Sequence, residues 1–219
     1  MASFDADAVA LPPLDIKCTN TNCDDGQHCY LATKQMVRNK QVGACRDCGA
    51  RPVNWDRVHA RDLGDADHTF RMLRTEFIRH HFWHVDIDQK AVNHARRKGR
   101  RGMREAAERR IRQSVAAAAP VRDGRQTPFS DNALYYAQHA TASCCRRCIE
   151  EWHAIPRGRA LTEAEVQYLT SLVCRYVEER LPTLTEDGER VPVIRKPRPG
   201  RRATAVVARS GAAGAADPD

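Results

Sequence analysis

Nine cysteines and nine histidines fall in blocks along this 219-residue chain, and that placement restricts the fold more than any other feature. Cys18-x4-Cys23 is followed, 21 residues later, by Cys45-x2-Cys48-Gly49. Two paired-cysteine turns around a short excursion are the pattern of a zinc ribbon or a related small zinc module. So short a segment buries too little surface to fold alone, so bound metal must supply folding energy. Cys18, Cys23, Cys45 and Cys48 are the expected ligands of one structural zinc ion. The first pair has four intervening residues rather than two, which leaves His28 and Cys29 as alternative ligands. The bland reading is four scattered thiols in a reduced protein.

A second block runs from Gln138 to His153 and holds Cys144, Cys145, Cys148, His139 and His153. Cys145-x-x-Cys148 has metal-knuckle spacing, and Cys144 lies one helical turn from Cys148. A Cys3His site built from Cys144, Cys145, Cys148 and a histidine, His153 being preferred, follows from that spacing. Two readings compete with it. A redox dithiol is one. The other is a helix over about 144–153 with Cys145, Cys148, Ile149 and Trp152 on one apolar face, since free cysteine packs well in cores.

The composition, 42% hydrophobic and 29% charged, fits a soluble globular protein with an aliphatic core, because aromatic residues make up only 6%. No run approaches the roughly 20 apolar residues that span a bilayer. Met1 to Leu14 lacks a basic segment followed by an apolar one, so no secretory signal is expected and the location is expected to be cytoplasmic. Clustered thiols, odd in number, in a reducing compartment favour metal over disulfides.

Hydrophobic periodicity predicts helices beyond the first module. Phe70, Leu73 and Phe77, with Ile78 and Phe82, form a buried stripe on one helix from a cap at Asp67 to about His84. Glu76, His80 and His84 sit one turn apart on it, a spacing that suits a metal or an acid–base pair. A histidine-rich surface is the alternative. Asp88 is expected to cap a second helix, and Met103, Ala107, Ile111 and Val115 mark a third that stops at Pro120. Thr162-x-x-Glu165 is a capping box before the stripe Val166, Leu169, Leu172, Val173, Tyr176 and Val177. The expected architecture is mainly α: a flexible arm over 1–15, a zinc-ribbon-like module over 16–64, a helical domain over 65–182, and a disordered basic tail over 183–219. Strands, if any, belong to the zinc module.

The formal net charge of +8 is concentrated. From Arg96 to Arg112 nine basic residues face Glu105 and Glu108 alone. Arg96, Arg97, Lys98, Arg100, Arg101 and Arg104 are the expected nucleic-acid contacts. Guanidinium forks match phosphate, and a dense array releases counterions from a polyanion. An ordinary solvated arginine face is the alternative. No RNP aromatic signature and no clear helix-turn-helix are present, so sequence-specific readout is not indicated. Gln126 and Thr127 on a constrained loop, with Gln138 and His139, could line a polar pocket; turn and capping chemistry explains them equally well.

The motifs Asp123-Gly124-Arg125-Gln126-Thr127-Pro128, Ala137-Gln138-His139-Ala140-Thr141-Ala142, Cys144-Cys145-Arg146-x-Cys148, Trp152-His153-x-Ile155-Pro156 and Gly158-Arg159-x-Leu161-Thr162 carry a resemblance. Together they resemble the bacterial domain-of-unknown-function family 4186, over about Phe70 to Leu181. The resemblance implies a shared domain and assigns no reaction. The Cys18 to Cys48 region lies outside it.

The absence of GxGxxG, P-loop and nucleophile-elbow motifs argues against dinucleotide and nucleoside triphosphate chemistry. The leading expectation is a zinc-containing protein that binds nucleic acid, DNA rather than RNA. It is expected to process that nucleic acid in repair, modification or defence, as a hydrolase of glycosylase or nuclease type. Glu76, His80, His84, Gln126, Gln138 and His139 are its candidate catalytic residues. The deaminase signature is missing. The rival expectations are a non-catalytic zinc adaptor for nucleic acid or a partner protein, and a thiol-based redox or metal sensor.

Overall fold

The structure, a computed structural model, describes residues 16–194; the expected arm over 1–15 and the 195–219 part of the expected tail lie outside them. Among the described residues the fold is mainly α-helical, as expected, with eight α-helices. They are α1 (Lys34–Arg38), α2 (Trp55–His59), α3 (Ala66–Leu73), α4 (Phe77–His84), α5 (Gln89–Ser114), α6 (Ala133–Ala140), α7 (Arg146–His153) and α8 (Glu163–Arg180). No strand forms among those residues; the only ladder contacts are single bridges, Asn22 with Gln27 and His28 with Glu76. None of the helices is long and apolar enough to cross a membrane.

The long α5 packs against α6 and α8, α4 against α6, and α2 against α7 and α3. The predicted stripes face inward: Phe70, Leu73, Ile78 and Phe82 are buried, as are Val166, Leu169, Leu172, Val173 and Tyr176. The capping box at Thr162 forms with both reciprocal bonds, and the Asp88 carboxylate accepts from Ala91 N at 2.9 Å. The predicted single helix from Asp67 to His84 is instead two. It breaks at Arg74–Glu76, where His28 N donates to Thr75 O (2.7 Å) and Phe77 N to His28 O (2.9 Å). A tertiary partner thus takes over backbone groups that would have continued the helix. Asp67 caps nothing; α3 starts after Asp65, and Asp67 pairs with Arg175.

The N-terminal segment is not a separate bead. Tyr30, Cys45, Val53 and Val58 share one hydrophobic cluster with the helical domain. Tyr30 meets Trp152 edge-on at 5.7 Å and Trp55 lies 5.0 Å from Trp152, so aromatic burial fastens the two parts.

Within α5, Gly99 leaves the helical region at φ 63°, ψ 179°, which divides it into two helical pieces. That break strands backbone groups on either side, and residues 185–189 satisfy them. Arg100 N donates to Thr185 O (2.9 Å), Arg101 N to Glu186 O (3.2 Å) and Glu189 N to Arg96 O (2.8 Å). Residues 183–194 were expected to be disordered; the part up to Pro192 instead forms a strap along α5, because the kink supplies backbone partners that composition cannot reveal. A Cβ on Gly99 would lie 2.5 Å from the Asp187 carbonyl carbon, so glycine is required for both its φ and the close approach. Gly99→Ala should therefore destabilise the protein by about 1–3 kcal/mol. It should also expose the strap to protease, as urea unfolding and limited proteolysis would measure. Unchanged stability and an uncut strap would contradict this account of the kink.

Candidate metal centre

Among the described residues two groups of ligand atoms come together, each with all members within 4.8 Å of one another: Cys23, His28, Cys45 and Cys48, and then Cys144, Cys145 and Cys148.

The first group grows from two turns. Residues 22–28 form a tight loop closed by reciprocal bonds between Asn22 and Gln27, and Gly26 takes the left-handed φ of 70° that ends it. Cys45 to Gly49 form the second turn, with Gly49 N donating to Cys45 O at 2.9 Å. The sulfurs of Cys23 and Cys45 are 3.8 Å apart, and Cys48 Sγ lies 3.5 Å from His28 Nδ1. Burial alone would raise the Cys45 thiol; backbone N–H groups from Cys48, Cys29 and Asp47, with His28, hold it down at about 6. A thiol already inclined to ionise is a ready metal ligand. His28 thus stands where Cys18 was expected, and Cys18 lies elsewhere.

The second group sits at the start of α7. Cys145 is the N-cap, its sulfur accepting from Cys148 N at 3.5 Å, so the two-residue spacing folds both sulfurs inward. Behind them is a feature no motif announced. Arg79 of α4 is fully buried, and its Nη2 donates to Cys148 Sγ at 2.9 Å. Its Nη1 reaches His139 O (2.7 Å) and Cys144 Sγ (3.7 Å), while Nε donates to Glu76 Oε2 at 3.1 Å. Trp152 Nε1 donates to the same carboxylate oxygen at 2.7 Å. Hydrogen bonds from the thiols of Cys144, Cys145 and Cys18, with Arg79 beside them, hold Cys148 well below the ordinary thiol range. Burial pushes the Glu76 carboxyl up against the pull of Arg79. The buried arginine was legible only as a charge inside an apolar stripe.

The expected catalytic residues are divided. Glu76 is buried in the Arg79 pair, as above. His80 and His84 stack on each other with ring centres 4.0 Å apart, and their Nδ1 atoms lie 3.3 Å from Arg74 O and 2.7 Å from His80 O. Gln138 is fully buried: it accepts from Arg110 Nε and donates to Ser143 O and Ser114 Oγ. Gln126 donates to Asp123 and Ser114 O, and Thr127 donates to Cys144 O. His139 stacks on Phe82 at 4.6 Å and donates through Nε2 to the carbonyls of Thr127 and Pro128, 3.2 Å each; burial lowers it to about 4. His153 is not at the sulfurs. It is fully buried, with Nε2 donating to Thr141 O and Nδ1 accepting from Tyr168.

A cavity of about 320 Å³ opens onto Cys144 and Cys145, walled by Cys18, Arg125, Thr127 and His139. The basic run is elsewhere and partly occupied. Arg96 pairs with Glu189 (2.6 Å) and Arg101 with Asp187 (3.2 Å). Arg97 and Arg100 donate to Pro192 O and Pro182 O. Arg104 and Lys98 form no ion pair among the described residues. Arg100, Arg101 and Arg104 line a cavity of about 430 Å³ with Glu178 and Glu186.

Fold and site together define a mainly helical protein with two clusters, one of three cysteines and a histidine and one of three cysteines, that could each hold a metal ion. Residues 67–178 match the family described as Domain of unknown function (DUF4186), and the chain belongs to that family. The second cluster lies inside the matched segment and the first precedes it. No solved structure matches the chain.

Arg79→Met should cost about 3–5 kcal/mol, because it leaves Glu76 buried without its countercharge. Urea unfolding at neutral pH measures it. A cost below about 1 kcal/mol would show that the guanidinium does not carry the interior charge balance.

Proposed function

We propose that the protein is a zinc-stabilised, non-catalytic adaptor that binds nucleic acid in a reducing, cytoplasmic setting. The observation that carries the zinc assignment is the geometry of the first cluster. Tetrahedral zinc with thiolate and imidazole ligands requires sulfur–sulfur edges of about 3.8 Å and sulfur–nitrogen edges of about 3.5 Å. Cys23 to Cys45 and Cys48 to His28 stand at 3.8 and 3.5 Å. The second cluster is read as zinc as well: buried thiolates at knuckle spacing, with Arg79 donating to two of them, match the outer-shell hydrogen bonding that metal–thiolate groups need.

The adaptor reading is favoured over processing because the candidate acids and bases are hydrogen-bonded into the framework and lie in separate places. The polyanion contact is reduced from the whole basic run to Arg104 and Lys98, with Arg100 and the exposed, loosely paired Arg101 lining a cavity beside Arg104. One observation keeps the processing reading alive: the cavity that reaches the Cys144 and Cys145 sulfurs has Arg125 on its wall, a cation suited to a phosphate.

Metal analysis of the purified full chain should find two equivalents of zinc. Cys45→Ser and Cys148→Ser should each remove one, and a Cys148→Ser protein that keeps both ends the two-site assignment. Replacing Arg100, Arg101 and Arg104 together by Glu should weaken binding to DNA and RNA oligonucleotides by about 100-fold at 0.1 M salt. The slope of log affinity against log salt should fall by about three. Fluorescence anisotropy across a salt series reads both, and equal affinity of variant and parent refutes the contact.

A further inference from the structure

Cys18 precedes the family domain and belongs to neither group of mutually close ligand atoms, yet it is not idle. Its side chain and that of Cys148 interact. It stands in the wall of the cavity that opens onto Cys144 and Cys145. The thiol of Cys29 donates to Cys18 O at 3.3 Å, which anchors this turn against the interior. The second cluster by itself offers three sulfurs, and a structural zinc site has four ligands. His153 cannot supply the fourth as placed, since its Nε2 donates to Thr141 O and its Nδ1 is held by Tyr168; His139 keeps an unpartnered Nδ1, but its Nε2 is tied to the carbonyls of Thr127 and Pro128 and its ring is stacked on Phe82.

We propose that Cys18 is the fourth ligand of the second zinc site, so that Cys18, Cys144, Cys145 and Cys148 hold one ion. This rests on the zinc reading of the second cluster given above. The two sites then interleave along the chain. Cys18 belongs to the second, Cys23, His28, Cys45 and Cys48 to the first, and Cys144 to Cys148 to the second again. Metal at the second site staples residues 16–20 to the start of α7 and closes a loop that contains the whole first site. Four thiolates around a dication leave excess negative charge, and the buried Arg79 fork is already aimed at two of the sulfurs. The cavity over Cys144 and Cys145 then leads to a four-coordinate ion whose one ligand from outside the family domain is Cys18.

The test uses the full chain carrying Cys45→Ser, so that the second site is read alone, loaded with Co²⁺ as a spectroscopic substitute for zinc. Cys18→Ala should leave one bound equivalent but lower the sulfur-to-cobalt charge-transfer absorption by about a quarter, as one of four thiolate ligands is lost. It should also speed metal release to a competing chelator about tenfold or more. Cys18→His, which restores a ligand of another type, should slow release again without recovering the charge-transfer band. An unaltered spectrum and release rate in Cys18→Ala overturn the assignment of Cys18. A Cys148→Ser protein that keeps two equivalents in the otherwise unmodified chain overturns the second zinc site itself, whatever Cys18 does.

Discussion

A guanidinium with no access to water sits where α4, the end of α6 and the start of α7 meet. Arg79 comes from α4, Glu76 from the break before it, Cys144 and Cys148 from the start of α7, and the His139 carbonyl from the end of α6. A buried cation is tolerated only when its donors are matched, so these four pieces must arrive together. Trp152 joins from the far end of α7 by donating to Glu76, and its ring carries the aromatic contact to Tyr30 and Trp55. The charge network and the apolar seam between the N-terminal segment and the helical domain therefore share one residue. A second buried arginine, Arg146, does similar work outward: it donates to the carbonyls of Val115, Pro156 and Arg159 and so ties the sulfur block to the loops around it.

The basic helix illustrates how tertiary structure redistributes charge. Read linearly, Arg96 to Arg112 is a nearly unbroken cationic face. In the fold, the kink at Gly99 draws in an acidic strap whose backbone completes the helix and whose carboxylates pair closely with Arg96 and, in a solvent-exposed contact, with Arg101. Arg110 turns inward to hold Gln138 and the Gln126 carbonyl, and Arg112 pairs with Glu108 and Glu163. Exposed pairs of this kind contribute little stability, but each occupied fork is a fork less available to phosphate. What stays open is the cluster around Arg104.

The two groups of side chains that could hold metal were only partly legible. Cys45 and Cys48, and likewise Cys145 and Cys148, share a site because two intervening residues bring their sulfurs to one side whatever else happens. The place of His28 could not be read that way, because its backbone is bridged to Glu76, almost fifty positions away. The polar pocket expected from Gln126, Thr127, Gln138 and His139 is split in the fold. Thr127 and His139 line the cavity beside Cys144 and Cys145, while Gln126 and Gln138 hydrogen-bond to Asp123, Ser114 and Ser143.

Local chemistry and periodicity determined the helices, their caps at Asp88 and Thr162, the inward stripes and the two sulfur knuckles, because each arises from groups within a turn or two of one another. Only the tertiary structure decided that α3 and α4 are separate, that Arg79 is buried, that the 183–192 stretch is a strap, and which cysteines are neighbours. Those outcomes hang on how distant backbone groups and charges satisfy each other once water is excluded, and no spacing along the chain records that.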